Sequence, residues 1–186
     1  MRPRLVLVAH PDPVEPLDLL PVVRILEKCG EDAFAVRVRA LDGPPGSGAA
    51  QPADVLLVPG GRGSERDYGQ GPVARALDAH MGAGRPVYTV CSGAFVLAGR
   101  GLLTGRTVAT HSAKSERLAR LGGCTVRPGL VRDGTLTSVG GTAVGHVKAL
   151  ALALRIVADQ TPERLPALLA TLDVDPHLLP RLEVVR

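Results

Sequence analysis

The chain has no tryptophan and only two tyrosines and two phenylalanines in 186 residues. So few aromatics leave no stacking platform for single-stranded nucleic acid. Lysine is scarce too: Lys28, Lys114 and Lys148 are the only three, so the net charge of +4 comes from arginine. The arginines are scattered, without a basic run or a recognition-helix pattern, and no nucleic-acid partner is expected. Cys29, Cys91 and Cys124 stand at wide, irregular spacing that suits neither a disulfide framework nor a zinc site. No two histidines lie four residues apart and no H-E-x-x-H occurs, so no metal is expected. No apolar run approaches the roughly 20 residues of a membrane span, and no signal-like leader is evident. A reducing cytoplasm is therefore the expected location, with no membrane partner.

What is present is a hydrophobic content of 45%, enough for a folded core in a chain of this length. One domain over residues 1–186 is the simplest division. Arg4 to Ala9 is a continuous apolar run and reads as the first strand. Pro16 then fits the first turn of a helix reaching about Cys29, with Leu17, Leu20, Val23 and Leu26 at helical spacing. Phe34 to Arg39 and Asp54 to Val58 read as strands, with a Gly- and Pro-rich surface loop between them from Asp42 to Pro52. Pro72 to Met81 reads as a helix and Pro86 to Val90 as the next strand. Thr107 to Thr110 is a short strand, and Ala113 to Leu121 a helix closed by Gly122-Gly123. Asp133-Gly134 signals a hairpin between Leu130–Arg132 and Leu136–Val139. Ala143 to Asp159 is the longest helical segment, another helix starts near Thr161, and residues 173–186 read as a tail. Alternating strands and helices imply an α/β sandwich around a mostly parallel sheet.

The chain is organised around P-V-Y-T-V-C-S-G-A-F-V-L-A-G-R-G-L-L-T-G, from Pro86 to Gly105. A buried strand delivers Cys91, and the small residues Ser92, Gly93 and Ala94 open a helix. This is the thiol counterpart of the G-x-S-x-G nucleophile elbow, which holds its side chain at the carboxyl edge of a sheet. The positive end of the following helix favours thiolate, the reactive form. The competing reading makes Cys91 one more small buried apolar residue.

Pro59-Gly60-Gly61 follows the preceding strand, and Thr110-His111 the next one. With these pieces the chain resembles the ThiJ/PfpI superfamily over about Arg4 to Ala158. V-C-S-G-A-F-V-L-A-G-R-G-L-L-T-G-R-T-V-A-T-H and R-D-G-T-L-T-S-V-G-G-T-A-V-G look most like its branch of isonitrile hydratases and amidase-like domains of AraC-type regulators. The sequence differs from that branch at Ser112, where tryptophan is common, and at Arg100, where a small residue is usual.

The resemblance implies a class I glutamine-amidotransferase-like, flavodoxin-like three-layer sandwich, a homodimer, and no cofactor. It makes Cys91 the nucleophile and Asp18, from the first helix, the acidic residue near the sulfur. Ser92 matches the small hydroxyl residue after the nucleophile, and His111 a histidine near the sulfur in many members. Gly61 and the backbone after Cys91 match amides that stabilise an oxyanion, with Gly60 beside them.

Taken as residues alone, Asp18 reads equally as a first-turn aspartate favoured by the helix dipole, and Glu15 is its rival. His111 fits either a proton shuttle or a strand-end histidine held by backbone. Arg62 and Arg66 are loop cations, or else one of them binds a substrate carboxylate. The expected activity is hydration of a small-molecule isonitrile to an N-substituted formamide through Cys91 and Asp18. A glyoxalase- or deglycase-like attack on an α-oxoaldehyde is the alternative enzyme. A non-catalytic ligand or redox sensor is the alternative from another class.

Overall fold

A computed structural model describes residues 2–43, 52–68, 71–141, 147–175, 177 and 181–185. Its centre is three strands buried along most of their length: β1 (Arg4–His10), β3 (Val55–Val58) and β4 (Val87–Val90). Continuous apolar runs are what parallel strands need when both faces of their sheet are covered. With β2 (Phe34–Ala40), β7 (Gly129–Asp133), β8 (Leu136–Gly140) and β9 (Leu182–Val185) they form one seven-stranded sheet, ordered β2-β1-β3-β4-β8-β7-β9. All neighbours are parallel except β7 and β8, which form the hairpin predicted at Asp133-Gly134. Beside the sheet, β5 (Thr107–Val108) pairs in parallel with β6 (Thr125–Val126).

Side-chain alternation along the strands divides the core in two. Val6, Val8, Val55 and Leu57 face α1 (Pro16–Lys28), α5 (Lys148–Gln160) and α6 (Leu165–Leu172). Leu7, Leu56, Val58 and Val87 face α2 (Pro72–Gly82), α3 (Ala94–Ala98) and α4 (Ser115–Gly122). The result is the three-layer α/β sandwich with a mostly parallel sheet expected from the sequence. No helix among the described residues is long and apolar enough to cross a membrane.

Three local readings change. The buried stripe of α1 is Asp18, Val22, Ile25 and Leu26, whereas Leu17 and Leu20 are 71% and 55% exposed. Both sets have helical spacing, and packing against β2 and α5 selects the one that carries the aspartate. The segment read as a tail supplies β9, which pairs with β7 from Leu130↔Leu182 to Asp133↔Val185. Of the long helix predicted from Ala143, the described part begins at Lys148; residues 143–146 lie outside the described residues.

Candidate active site

The ends of β1, β3 and β4 bring the site together. At the end of β4, Cys91 has φ +56, the left-handed region that L-residues rarely adopt. The chain turns through Cys91–Gly93 and enters α3, whose five residues are all buried. Gly93 permits this turn, because a Cβ there would lie 2.2 Å from the Val58 carbonyl oxygen at the end of β3. Thr110 donates its hydroxyl to the Cys91 carbonyl at 2.9 Å, fixing the elbow from the β5 side.

The loop after β3 carries Gly60 and Gly61 and is bonded to the start of α1. The Glu15 amide donates to the Gly60 carbonyl at 2.9 Å, and the Gly63 amide to the Pro13 carbonyl at 3.0 Å. Glu15 itself caps α1, its carboxylate accepting the Leu17 amide at 3.2 Å. This tethering turns Asp18, not Glu15, inward. Asp18 is wholly buried, and neither carboxylate oxygen has a hydrogen-bond partner. Gly60 makes room for it: a Cβ at Gly60 would stand 2.4 Å from Asp18 Oδ2 and 3.0 Å from the Ser92 nitrogen.

The other predicted positions are placed as follows. Ser92 is buried, and its hydroxyl accepts the Gly61 amide at 3.0 Å and donates to the Gly61 carbonyl at 3.2 Å. It therefore ties the elbow to the loop after β3, and the Gly61 amide is already engaged. The Ser92 amide is the backbone donor that acts on the sulfur. His111 is exposed, and its Nδ1 accepts the Ala113 amide at 3.2 Å, capping the turn Ser112–Lys114. Ser112 is exposed on the same turn. Arg62 is exposed on the turn Arg62–Glu65. Arg66 donates to the Asp12 carbonyl at 2.8 Å and lies over the Tyr68 ring. Arg100 forms an ion pair with Asp78 of α2, which accounts for a large cation after α3 without involving the elbow.

One group in the site was not singled out in the sequence. Lys148, the first residue of α5, places Nζ 3.4 Å from Asp18 Oδ1. The only signal available was a lone lysine ahead of an apolar run in the longest helical segment.

These three groups set one another's titration. Burial pushes the Asp18 carboxyl up and Lys148 opposes it, with the charge of Glu15 adding to the rise. An ion pair at 3.4 Å is worth about 5 kcal/mol at an effective dielectric of about 20, less the screening of a partly exposed ammonium. Burying a carboxylate costs several kcal/mol, and here burial wins. Cys91 is also pushed up, first by burial and then by the Asp18 charge, against Lys148 and the Ser92 amide. This reverses the expectation of a thiol made acidic by the following helix. A five-residue helix has little macrodipole, and a buried carboxylate beside the sulfur outweighs it. Burial lowers the Lys148 pKa, but the charges of Asp18 and Cys91 more than compensate and raise it. At neutral pH the arrangement supplies a thiol, a buried carboxyl able to take and return a proton, and an ammonium beside both. Among the described residues no group of histidine, cysteine and acidic side chains is arranged to hold a metal ion.

Known proteins share both the sequence and the fold. The model of the DJ-1/PfpI family matches residues 46–158, more than half of the chain. Isonitrile hydratase from Pseudomonas putida is 36% identical over 110 residues, a match that spans 59% of this chain and 48% of that enzyme. DJ-1beta from Drosophila melanogaster superimposes with a TM-score of 0.77 at 20% identity, covering 94% of this chain and all of that one. A ThiJ/PfpI family protein from Pseudomonas syringae gives 0.71 at 20% identity, covering 95% of this chain and 77% of that one. An AraC family transcriptional regulator from Pseudomonas putida gives 0.72 at 16% identity, covering 91% and 100%. With an elbow cysteine at the carboxyl edge of a parallel sheet and a family match running through it, the chain belongs to the DJ-1/PfpI family.

Proposed function

We propose that this protein is a cysteine-dependent, cofactor-independent hydratase that converts a small isonitrile to an N-substituted formamide. The observation that carries the reading is the wholly buried carboxyl of Asp18, ion-paired with Lys148 and set against a left-handed elbow cysteine. The 36% identity to isonitrile hydratase supports the substrate class. A raised carboxyl pKa suits a group that must both accept and donate a proton near neutrality.

The reaction divides into two halves. Asp18 takes the proton from Cys91 Sγ, and the sulfur electron pair attacks the terminal isonitrile carbon. Asp18 returns the proton to that carbon, giving a thioimidate, R–N=CH–S–Cys91. Water then adds across C=N: Asp18 accepts a proton from the water oxygen as it bonds to carbon and hands that proton to the nitrogen, giving R–NH–CH(OH)–S–Cys91. Collapse of the adduct breaks C–S and forms the formamide carbonyl, and the hydroxyl proton passes through Asp18 to the departing Cys91 sulfur, restoring the thiol. The sum is R–NC plus water giving R–NH–CHO.

The α-oxoaldehyde reading draws on the Gly61 amide as an oxyanion donor. Because that amide is donated to Ser92 Oγ, this second enzymatic reading has less support. The active form is a homodimer that uses the exposed Leu17 and Leu20 on the outer face of α1. The test is formamide production from an alkyl isonitrile, followed by mass spectrometry, with Cys91→Ser and Asp18→Asn as controls. Turnover in the wild type that both substitutions abolish supports the hydratase. Saturable isonitrile binding with no turnover in the wild type overturns it in favour of a ligand sensor.

A further inference from the structure

Lys148 sits where local preferences do not ask for a cation. It is the first residue of α5, at the positive end of the helix dipole, where cations are disfavoured. The residues after it are apolar and largely buried: Ala149, Ala151, Leu152, Ala153, Leu154 and Ile156. Its side chain is nonetheless turned inward, 21% exposed, with Nζ 3.4 Å from a carboxylate whose oxygens have no hydrogen-bond partner. A lysine held against its helix dipole and beside a buried acid marks a place where local consistency gives way to function.

We propose that Lys148 is the fixed counter-charge of the site: its ammonium balances the single negative charge that Cys91 and Asp18 exchange during the reaction. The inference rests on Cys91 and Asp18 being the reactive pair. With a thiol, a carboxylate and an ammonium, the group is neutral. When the proton moves from Sγ to Asp18 it becomes a thiolate, a carboxylic acid and an ammonium, still neutral. After the carbon is protonated the thioimidate is uncharged, Asp18 is a carboxylate again, and the sum is unchanged. Each state of the first half-reaction therefore leaves no unbalanced charge in a buried site. Without Lys148 each would hold one buried negative charge, the costly case.

Among the described residues, the groups facing this pair are few. Glu15 and Asp18 come from α1, Cys91 and the Ser92 amide from the elbow, and Lys148 from α5. Lys148 is the only one of them that carries positive charge, so no other side chain in this set takes over its role.

The test is the rate of Cys91 alkylation by iodoacetamide against pH, read on the Cys91 peptide by mass spectrometry. Wild type, Lys148→Met, Lys148→Arg and Asp18→Asn are compared. Lys148→Met is expected to move the midpoint up by at least about one pH unit, making alkylation near neutral pH about tenfold slower. Lys148→Arg keeps the charge and is expected to stay near the wild type. Asp18→Asn removes the negative neighbour and is expected to move the midpoint down. Opposite displacements from two neighbouring substitutions are a signature that loosened packing does not produce. A Lys148→Met profile that superimposes on the wild type overturns the proposal, as does a Lys148→Arg profile no closer to the wild type than Lys148→Met. The readout needs no substrate, so it is independent of formamide production. If the wild type makes no formamide while the alkylation midpoints move as expected, the hydratase reading fails and the counter-charge stands.

Discussion

Replacing Cys91 by glycine and by alanine measures how much strain the elbow holds. Both substitutions remove the sulfur, so its burial and its repulsion with Asp18 cancel in the comparison. What remains is the backbone at φ +56. Holding an L-residue in the left-handed region costs about 1–2 kcal/mol, a cost that glycine escapes. Against this, glycine loses about 0.5–1 kcal/mol more than alanine in conformational entropy on folding. The balance makes Cys91→Gly the more stable variant by about 0.5–1 kcal/mol, the reverse of the order at an ordinary position. For a chain of this size that is a gap of roughly 1–4 °C in Tm. Urea unfolding of the two variants, with midpoints and slopes fitted together, is the assay. Should Cys91→Ala prove more stable than Cys91→Gly by the ordinary margin, the elbow is not strained. The claim that a backbone constraint aims the sulfur would then fall.

Three further outcomes follow from the same geometry. Asp18 has a folded-state pKa above its unfolded value, so the stability it contributes is complete below about pH 4 and is lost as pH rises through the folded value. Asp18→Asn should therefore gain on the wild type as pH rises, by about 1.4 kcal/mol for each pH unit that separates the folded and unfolded pKa values; a difference in urea midpoints that stays constant between pH 4 and 8, or moves in the wild type's favour, would contradict this. Gly60→Ala puts a methyl group 2.4 Å from Asp18 Oδ2, and a carboxyl displaced by about 1 Å is expected to lower kcat/KM about 100-fold. Retained activity in Gly60→Ala would show that Asp18 does not need this position. A Leu17→Glu/Leu20→Glu double variant should sediment as a monomer with its fold intact, and an unchanged sedimentation coefficient would remove α1 from the dimer contact.

Much of the fold was legible because short-range signals agreed with one another. Apolar runs marked the buried strands, Pro16 and Pro72 marked helix starts, and Asp133-Gly134 marked the hairpin. Strand, cysteine, small residues and helix in sequence marked the elbow. The misread places are those where one pattern fits two arrangements. In α1, periodicity alone did not distinguish Leu17 and Leu20 from the Asp18, Val22, Ile25 and Leu26 stripe. In β9, a short segment close to prolines gave no sign of the parallel partner it finds in β7.

The sequence by itself determined the order of strands and helices and the candidate nucleophile, since backbone preferences and hydrophobic periodicity act over a few residues. Tertiary structure alone decided the electrostatics of the site. Asp18, Cys91 and Lys148 are separated by 73 and 57 positions, and no local pattern records that the sheet brings their side chains together. The rise of the Cys91 pKa, contrary to the helix-end expectation, has the same origin. Burial and a neighbouring charge are properties of the packed chain, and in this buried site they outweigh the dipole of a five-residue helix.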